Sequence, residues 1–331
     1  NAEDAAGVGN DRIVLRKADT ISGLSDANEV EIWNQNDSAK ANRYIWAPEL
    51  HKIGGSWYIL FTASRSNNVW DIRPHMLKCM GDDPMDPANW KTADESNLYQ
   101  VQANPGDPLA FTQFSLDMTY FEANGQSYVA WAEKPNGISK IYLATVNPEA
   151  PWQLTSDAVV LSEPDYAWEW SNGTIINEGP AVLKHDGKVF LCFSGAAVDY
   201  SYCIGMLSAD EGSDLLNLDS WTKYPTPLLS SDDFEDQCGP GHNSFTYDEN
   251  GNPVLVYHAR PVKDCSNGMD ADGNFGHCEY QGPGQNALND PCRHARVKSL
   301  NFAADGTPVL NMTAEEELSA GNEQVKVKIV V

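Results

Sequence analysis

The chain holds no apolar run near the roughly 18 residues that a membrane-spanning helix needs. It holds no Cys-x-x-Cys pair, which argues against a zinc ribbon or a thioredoxin-type site. Basic residues are scarce: 22 Lys and Arg stand against 47 Asp and Glu in 331 residues, a net charge of −25. A chain of that sign repels phosphates, which excludes nucleic acid and anionic membrane surfaces and leaves a neutral or cationic partner. Helix-period segments are nearly absent. The polar start, Asn1 to Asn10, lacks the apolar core of a signal peptide, so a leader was either removed or never present.

Aromatic side chains are plentiful, with 10 Trp, 13 Tyr and 10 Phe in a chain that is 41% hydrophobic. That is a folded composition, long enough for one large core or two ordinary ones. Cysteines stand at 79, 192, 203, 238, 265, 278 and 292. The last four fall in a loop-rich stretch and suit one or two disulfides, and the odd total leaves at least one free thiol. Cys192, inside Val189-Phe190-Leu191-Cys192-Phe193, reads as a small buried hydrophobe. Sequons at Asn36, Asn172 and Asn311 add to the expectation of a secreted, glycosylated, disulfide-containing protein.

Short β-branched and aromatic runs separated by Gly, Asn, Asp and Pro dominate. One form recurs. Gly54-Gly55 precedes Trp57-Tyr58-Ile59-Leu60-Phe61, and Asn124-Gly125 precedes Tyr128-Val129-Ala130-Trp131. Asp186-Gly187 precedes Val189-Phe190-Leu191, and Asn250-Gly251 precedes Val254-Leu255-Val256-Tyr257. Such pairs accept the positive φ of a tight hairpin. The glycines at 55, 125, 187 and 251 are 70, 62 and 64 residues apart, room for four strands and their loops. This spacing predicts an all-β chain, a five-bladed β-propeller, with residues 1–331 as one domain. A sandwich would lack the longer period. Residues 264–291, rich in Gly, Asn, Asp and Cys, break the pattern and are expected to be an inserted loop stapled by Cys265 and Cys278.

Three segments set an acid inside an apolar or glycine-rich strand: Asp117 within Phe114–Phe121, Glu178 within Ile175–Val182, and Glu49 within Ile45–His51. Taken singly, each reads first as a hydrogen-bonded carboxylate at a strand end. In a propeller, however, the first strand of every blade lines a central channel, so carboxylates from different blades can meet at one end of it. Two carboxyls flanking a sugar are what glycosidic cleavage needs: one protonates the leaving oxygen, the other activates water or attacks. Gly239-Pro240-Gly241-His242-Asn243-Ser244-Phe245 sets a His among small residues, where it could bind an ion or bond to backbone. Asp290 to Val297 offers two Arg and a His, either for sugar hydroxyls and carboxylates or as an exposed basic patch. Asp270-Ala271-Asp272-Gly273-Asn274 resembles the start of a calcium loop, but its Gly comes too early and no Glu follows in place.

In order along the chain, these motifs resemble glycoside hydrolase family 43. The resemblance is carried by Ile45-Trp46-Ala47-Pro48-Glu49-Leu50-His51, Ser115-Leu116-Asp117, Asn177-Glu178-Gly179-Pro180-Ala181, the His242 motif and Arg293-His294-Ala295-Arg296. It extends in particular to secreted, exo-acting α-L-arabinofuranosidases and exo-1,5-arabinanases, with Val198-Asp199-Tyr200-Ser201-Tyr202-Cys203-Ile204-Gly205-Met206-Leu207 supporting that branch. The resemblance implies a five-bladed propeller and an inverting mechanism with acid and base roughly 6.5–9.5 Å apart. Glu178 would be the general acid, and Asp117 would orient it and raise its pKa. Trp46, Arg293 and Arg296 would bind substrate. His242 would hold a structural cation such as calcium in the channel, and no organic cofactor is implied.

The family's general base is an Asp on the first strand of the first blade, upstream of a stretch like Asp11-Arg12-Ile13-Val14-Leu15-Arg16. Only ten residues precede Asp11, and Asp4 among them lacks the expected Asp-Pro setting. Other Asp-Pro pairs, at 83, 86, 107 and 290, fall in loops. No base is therefore assigned, and the first strand of blade one is expected to be missing from the chain. The resulting expectation is an extracellular, monomeric enzyme releasing L-arabinofuranose from plant cell-wall arabinan or arabinoxylan side chains. The rivals are a β-xylosidase of the same family, a non-catalytic carbohydrate-binding propeller and a calcium-stabilised adhesion or scaffold propeller.

Overall fold

The alternating aromatic runs fold as strands joined pairwise by short turns, and these hairpins succeed one another along the chain. The computed structural model describes residues 10–102, 111, 113–171, 173–261, 292–312 and 316. β1 (Arg12–Leu15) pairs with β2 (Val30–Asn34). The next sheet runs β3 (Arg43–Ile53), β4 (Ser56–Ser64), β5 (Arg73–Lys78), β6 (Leu98–Gln100). It is followed by β7 (Ser115–Ala123), β8 (Gln126–Glu133), β9 (Lys140–Asn147) and β10 (Ala150–Leu154), with β11 (Val159–Ser162) also on β9. A short pair, β12 (Trp170–Ser171) and β13 (Thr174–Ile175), precedes β14 (Asn177–His185), β15 (Lys188–Gly195), β16 (Cys203–Asp210) and β17 (Thr222–Lys223). β18 (Gln237–Tyr247), β19 (Pro253–Pro261) and β20 (His294–Ser299) form a further sheet, and β21 (Asn301–Phe302) pairs with β22 (Pro308–Val309).

The strands are antiparallel, and each larger sheet is a meander whose first strand is innermost: β14 packs against both β7 and β18, and β3 against β7. The fold is all-β and propeller-like. Among the described residues four sheets have three to five strands, and β1 and β2 form only a two-stranded pair where the spacing predicted a fifth blade. Gly54-Gly55, Asn124-Gly125 and Asp186-Gly187 carry positive φ at both positions and close the first hairpin of three successive sheets, whereas at Asn250-Gly251 only the glycine does, inside the longer connection Asp248–Asn252. Apolar clusters fill the spaces between neighbouring sheets. Ile13, Ile32 and Trp33 meet Ile59 and Phe61, Leu60 and Met76 meet Val129 and Trp131, and Leu143 meets Leu191 and Phe193. Phe190 and Met206 in turn meet Leu255 and Tyr257.

Cys192 is buried, as expected, and is a free thiol like Cys79 and Cys203, whereas Cys238 and Cys292 are disulfide-bonded. The expected loop 264–291 with Cys265 and Cys278, the Asp270–Asn274 stretch, Asp4 and the Asn172 sequon lie outside the described residues.

A buried ion pair anchors the start of β14. Lys223 reaches Glu169, which is 0% exposed, at 2.6 Å, and its ammonium lies 5.3 Å from the Tyr166 and Phe193 rings. Asn177, the first residue of β14, donates to Glu169 at 2.8 Å and accepts from Ser162 at 2.7 Å. Replacing Lys223 with Met leaves the Glu169 carboxylate buried without its cation, an expected loss of about 3–5 kcal/mol in urea unfolding. A Lys223→Met variant with an unchanged midpoint would show that the pair does not secure this strand.

Candidate active site

The first strand of each of the four larger sheets is interrupted by breaks in register. In β7, Asp117 and Met118 stand opposite one residue of β8, and in β14, Gly179 and Pro180 stand opposite one residue of β15. β3 has two such interruptions, at Tyr44-Ile45 and Ala47-Pro48, and β18 has two, at Gly239-Pro240 and His242-Asn243. These are β-bulges, and the first residue of each has positive φ: Tyr44 53°, Ala47 49°, Asp117 56°, Gly179 56°, Gly239 61° and His242 45°. Bulges re-aim side chains and leave one residue out of the ladder. Proline is tolerated at the second position of three of them because the ladder is already broken there.

At three of these bulges the N–H of the left-handed residue is taken by a side chain of the preceding sheet. Asp117 N donates to Thr62 Oγ1 at 3.3 Å, Gly179 N to Asp117 Oδ2 at 3.1 Å, and His242 N to Ser194 Oγ at 2.7 Å. The second of these bonds stitches β7 to β14 and sets the Asp117 carboxyl against the residue that follows Glu178.

The two carboxyls are strongly perturbed. Asp117, 4% exposed, is pushed up to about 7, first by burial and then by the charge of Glu49, against the pull of the Gly179 N–H. Glu178 is also pushed up to about 7, first by burial and then by the charge of Asp117. The Tyr202 hydroxyl, donating to Glu178 Oε1 at 2.7 Å, opposes this, as do, more weakly, the nearby His242 and Lys134 side chains. Each carboxyl accepts one hydrogen bond that supports its ionised form, Asp117 from Gly179 N and Glu178 from the Tyr202 hydroxyl, and burial outweighs both, so the pair retains a proton near neutrality. A carboxyl protonated near neutrality can donate that proton.

Other expected residues take distinct places. Trp46 pairs with Thr62, the residue that caps Asp117, and meets Tyr44 edge-on at 6.0 Å. Glu49 accepts from His51 at 2.7 Å, and its charge acts on both Asp117 and His242. Arg293 Nη1 lies 2.9 Å from His258 Nε2, so Arg293 reaches the site through His258. Arg296 pairs with Tyr257, on the opposite face of the sheet from His258, and is not brought to the carboxyls by that register. Burial, aided by Arg293, holds the pKa of His258 well below its ordinary value. Burial likewise lowers that of His242, which leaves a neutral imidazole able in principle to ligate an ion. Among the described residues, however, no group of three or more His, Cys, Asp or Glu is arranged to hold a metal, so the donors present do not complete the expected ion site.

Sequence reasoning missed Thr62, Ser194, Lys134 and His258, and singled out Tyr202 only as part of a branch motif. Thr62 and Ser194 end the strongly apolar runs Tyr58–Phe61 and Leu191–Phe193, and a hydroxyl there was the one local signal. The relevance of His258 and Lys134 arises only from strand pairing.

An all-β, propeller-like fold with a buried and a part-buried carboxyl that together hold a proton near neutrality is the equipment of an acid–base hydrolase. Residues 4–308 match the family described as glycosyl hydrolases family 43, and the chain belongs to it. It is 39% identical over 300 residues to an extracellular exo-alpha-(1->5)-L-arabinofuranosidase of Streptomyces avermitilis, covering 90% of this chain and 56% of that protein. It is 41% identical over 256 residues to an enzyme of the same name from Streptomyces chartreusis, covering 77% and 74%. The crystal structure of alpha-L-arabinofuranosidase from Lactobacillus brevis superposes with a TM-score of 0.75 at 37% identity, covering 91% of this chain and 86% of that one. The chain thus spans little more than half the length of some relatives.

Proposed function

We propose that the protein is an inverting, exo-acting glycoside hydrolase that releases L-arabinofuranose from arabinan or arabinoxylan side chains. The observation that carries this reading is the contact between Gly179 N and Asp117 Oδ2, which gathers two pKa-raised carboxyls at one point of the channel. Glu178 delivers its proton to the leaving glycosidic oxygen as the bond from that oxygen to the anomeric carbon breaks. Water attacks the anomeric carbon from the opposite face and gives its proton to a base, to which no described residue is assigned. Asp117 keeps the acid protonated and oriented. Trp46 and Arg293 contact the sugar. A channel cation would take His242 as protein ligand and water for the rest. The substrate assignment follows the names of the relatives.

The β1–β2 pair is the start of a fifth blade, since Ile13, Ile32 and Trp33 already pack on the β3–β6 sheet as one blade packs on the next. The protein acts outside the cell as a monomer. The relatives are named extracellular, no described helix is long and apolar enough to cross a membrane, and the sequon asparagines Asn36 and Asn311 are exposed.

The test is proton NMR of the protein with an aryl α-L-arabinofuranoside and, in parallel, the aryl β-D-xyloside. The expected first product is arabinose as the β-anomer. Release from the xyloside alone would make the protein a β-xylosidase, and release from neither would leave a binding propeller or a chain without its general base.

A further inference from the structure

Tyr202 lies just before β16, away from the strands that carry the acids, yet its hydroxyl is 2.7 Å from Glu178 Oε1. Its ring is 1% exposed and is held on two sides. It stacks on His258 with centroids 5.6 Å apart and planes 3° from parallel. Gly241 presses on the ring so closely that a Cβ there would sit 2.1 Å from Tyr202 Cε1. His258 is in turn fixed by Arg293 at 2.9 Å.

The polarity of this contact is set from behind. His242 N donates to Ser194 Oγ at 2.7 Å, and the Ser194 hydroxyl bonds to the Tyr202 oxygen. With that oxygen accepting from Ser194, the phenolic proton points to Glu178. The donors therefore run in one direction, from His242 N–H through Ser194 O–H and Tyr202 O–H to Oε1. Burial and the neighbouring Glu178 charge hold the Tyr202 pKa well above its ordinary value, so the phenol keeps its proton throughout the working range.

We propose that Tyr202 is a positioning residue of the acid step: its hydroxyl commits Glu178 Oε1 to accepting a hydrogen bond, so the proton given to the leaving oxygen is carried on Oε2. The inference rests on the reading of Glu178 as general acid. A carboxylic acid has one acceptor oxygen and one O–H, and its terminal torsion is broad and nearly two-fold. Without an external donor the proton partitions between both oxygens, and only one faces the leaving group.

The test is Tyr202→Phe, which keeps the ring that stacks on His258 and removes the hydroxyl alone. It is measured on two arabinofuranosides, one with a poor alkyl leaving group and one with 2,4-dinitrophenolate, which departs without protonation. kcat/KM is expected to fall about tenfold on the first, the effect of one lost hydrogen bond to an ionisable group, and distinctly less on the second. The alkaline limb of the pH profile should move up, because removing a donor to the ionised carboxylate raises the acid's pKa. Equal losses on both substrates with an unmoved profile would reduce Tyr202 to packing and overturn the proposal. Glu178→Gln on the same substrates separates the two readings. If it shows the leaving-group bias and Tyr202→Phe does not, the positioning role alone fails. If Glu178→Gln shows no bias, the acid assignment fails and the positioning role falls with it.

Discussion

Glu178→Gln will lose about 10²- to 10⁴-fold in rate on arabinosides with poor leaving groups while keeping its fold. Glutamine retains the shape of the side chain and an oxygen to accept the Tyr202 hydroxyl, so the hydrogen-bond chain ending at Oε1 survives. Only the transferable proton is gone. The same substitution should stabilise the protein above weakly acidic pH. The wild-type carboxyl titrates at about 7 in the fold against 4.5 when free. Below pH 4.5 both folded and unfolded chains hold the proton, and nothing is lost. Between the two values the unfolded chain releases its proton and the folded chain does not, so wild-type stability falls as pH rises and then levels off. The Gln variant lacks this penalty. Its melting temperature should equal that of wild type near pH 4 and exceed it at pH 8, a gap on the order of 1–3 kcal/mol. Thermal scans at both pH values, beside rates on the poor substrate, check the two halves. A rate within about twofold of wild type would end Glu178's role as the acid, and a pH-independent melting gap would mean that its carboxyl is not tuned by burial.

The gain and the loss come from one cause. Burial that raises the pKa of a carboxyl disfavours its ionised form, which costs stability at neutral pH and supplies a proton where chemistry requires it.

The regular parts of the fold were legible because they are local. The turns at Gly54-Gly55, Asn124-Gly125 and Asp186-Gly187 need positive φ at two adjacent residues, and few pairs other than Gly-Gly, Asn-Gly and Asp-Gly supply it. Their spacing therefore reported the sheets directly. The chemical motifs were legible for a related reason that the sequence did not disclose. Ala47-Pro48, Gly179-Pro180 and Gly239-Pro240 are bulges of three first strands, and a bulge is one of the few places inside a strand that accepts proline. The signature residues around them, Glu49, Glu178 and His242, act electrostatically on one another or on Asp117. Asp117 has no proline after it, and its place inside β7 showed only as a lone acid among apolar neighbours.

What stayed illegible was contact between sheets. Thr62, Asp117 and Ser194 each accept the N–H of a left-handed residue on the following sheet, one task performed by three residue types. No spacing rule relates them, because the contacts are made between strands of successive sheets and not by the run of the chain. Arg293 and Arg296 illustrate the same limit at shorter range. Three residues apart, they look equivalent in sequence, but pairing across β19 and β20 puts Arg296 beside Tyr257, while Arg293, ahead of β20, meets His258.

Asp117→Asn tests whether the middle member of that series has been turned to a second use. Asparagine keeps an oxygen that can accept the Gly179 N–H, so the stitch between β7 and β14 persists and the charge alone is removed. In the wild type the Asp117 charge helps to raise the Glu178 pKa. Without it that pKa falls, and Glu178 loses its proton at lower pH. Activity requires the protonated acid, so the alkaline limb of kcat/KM should move down by roughly one pH unit. The shift is opposite in sign to that expected for Tyr202→Phe, where a stabilising donor to the same carboxylate is lost. At neutral pH the rate on a poor leaving group should fall more than at pH 5, where enough acid remains protonated. A pH–rate profile that Asp117→Asn leaves in place, with the rate lowered evenly, would return Asp117 to the role of Thr62 and Ser194, a cap on a strained backbone and nothing more. A downward shift with the melting temperature held would establish that this propeller tunes its acid with a residue its backbone already required as an acceptor.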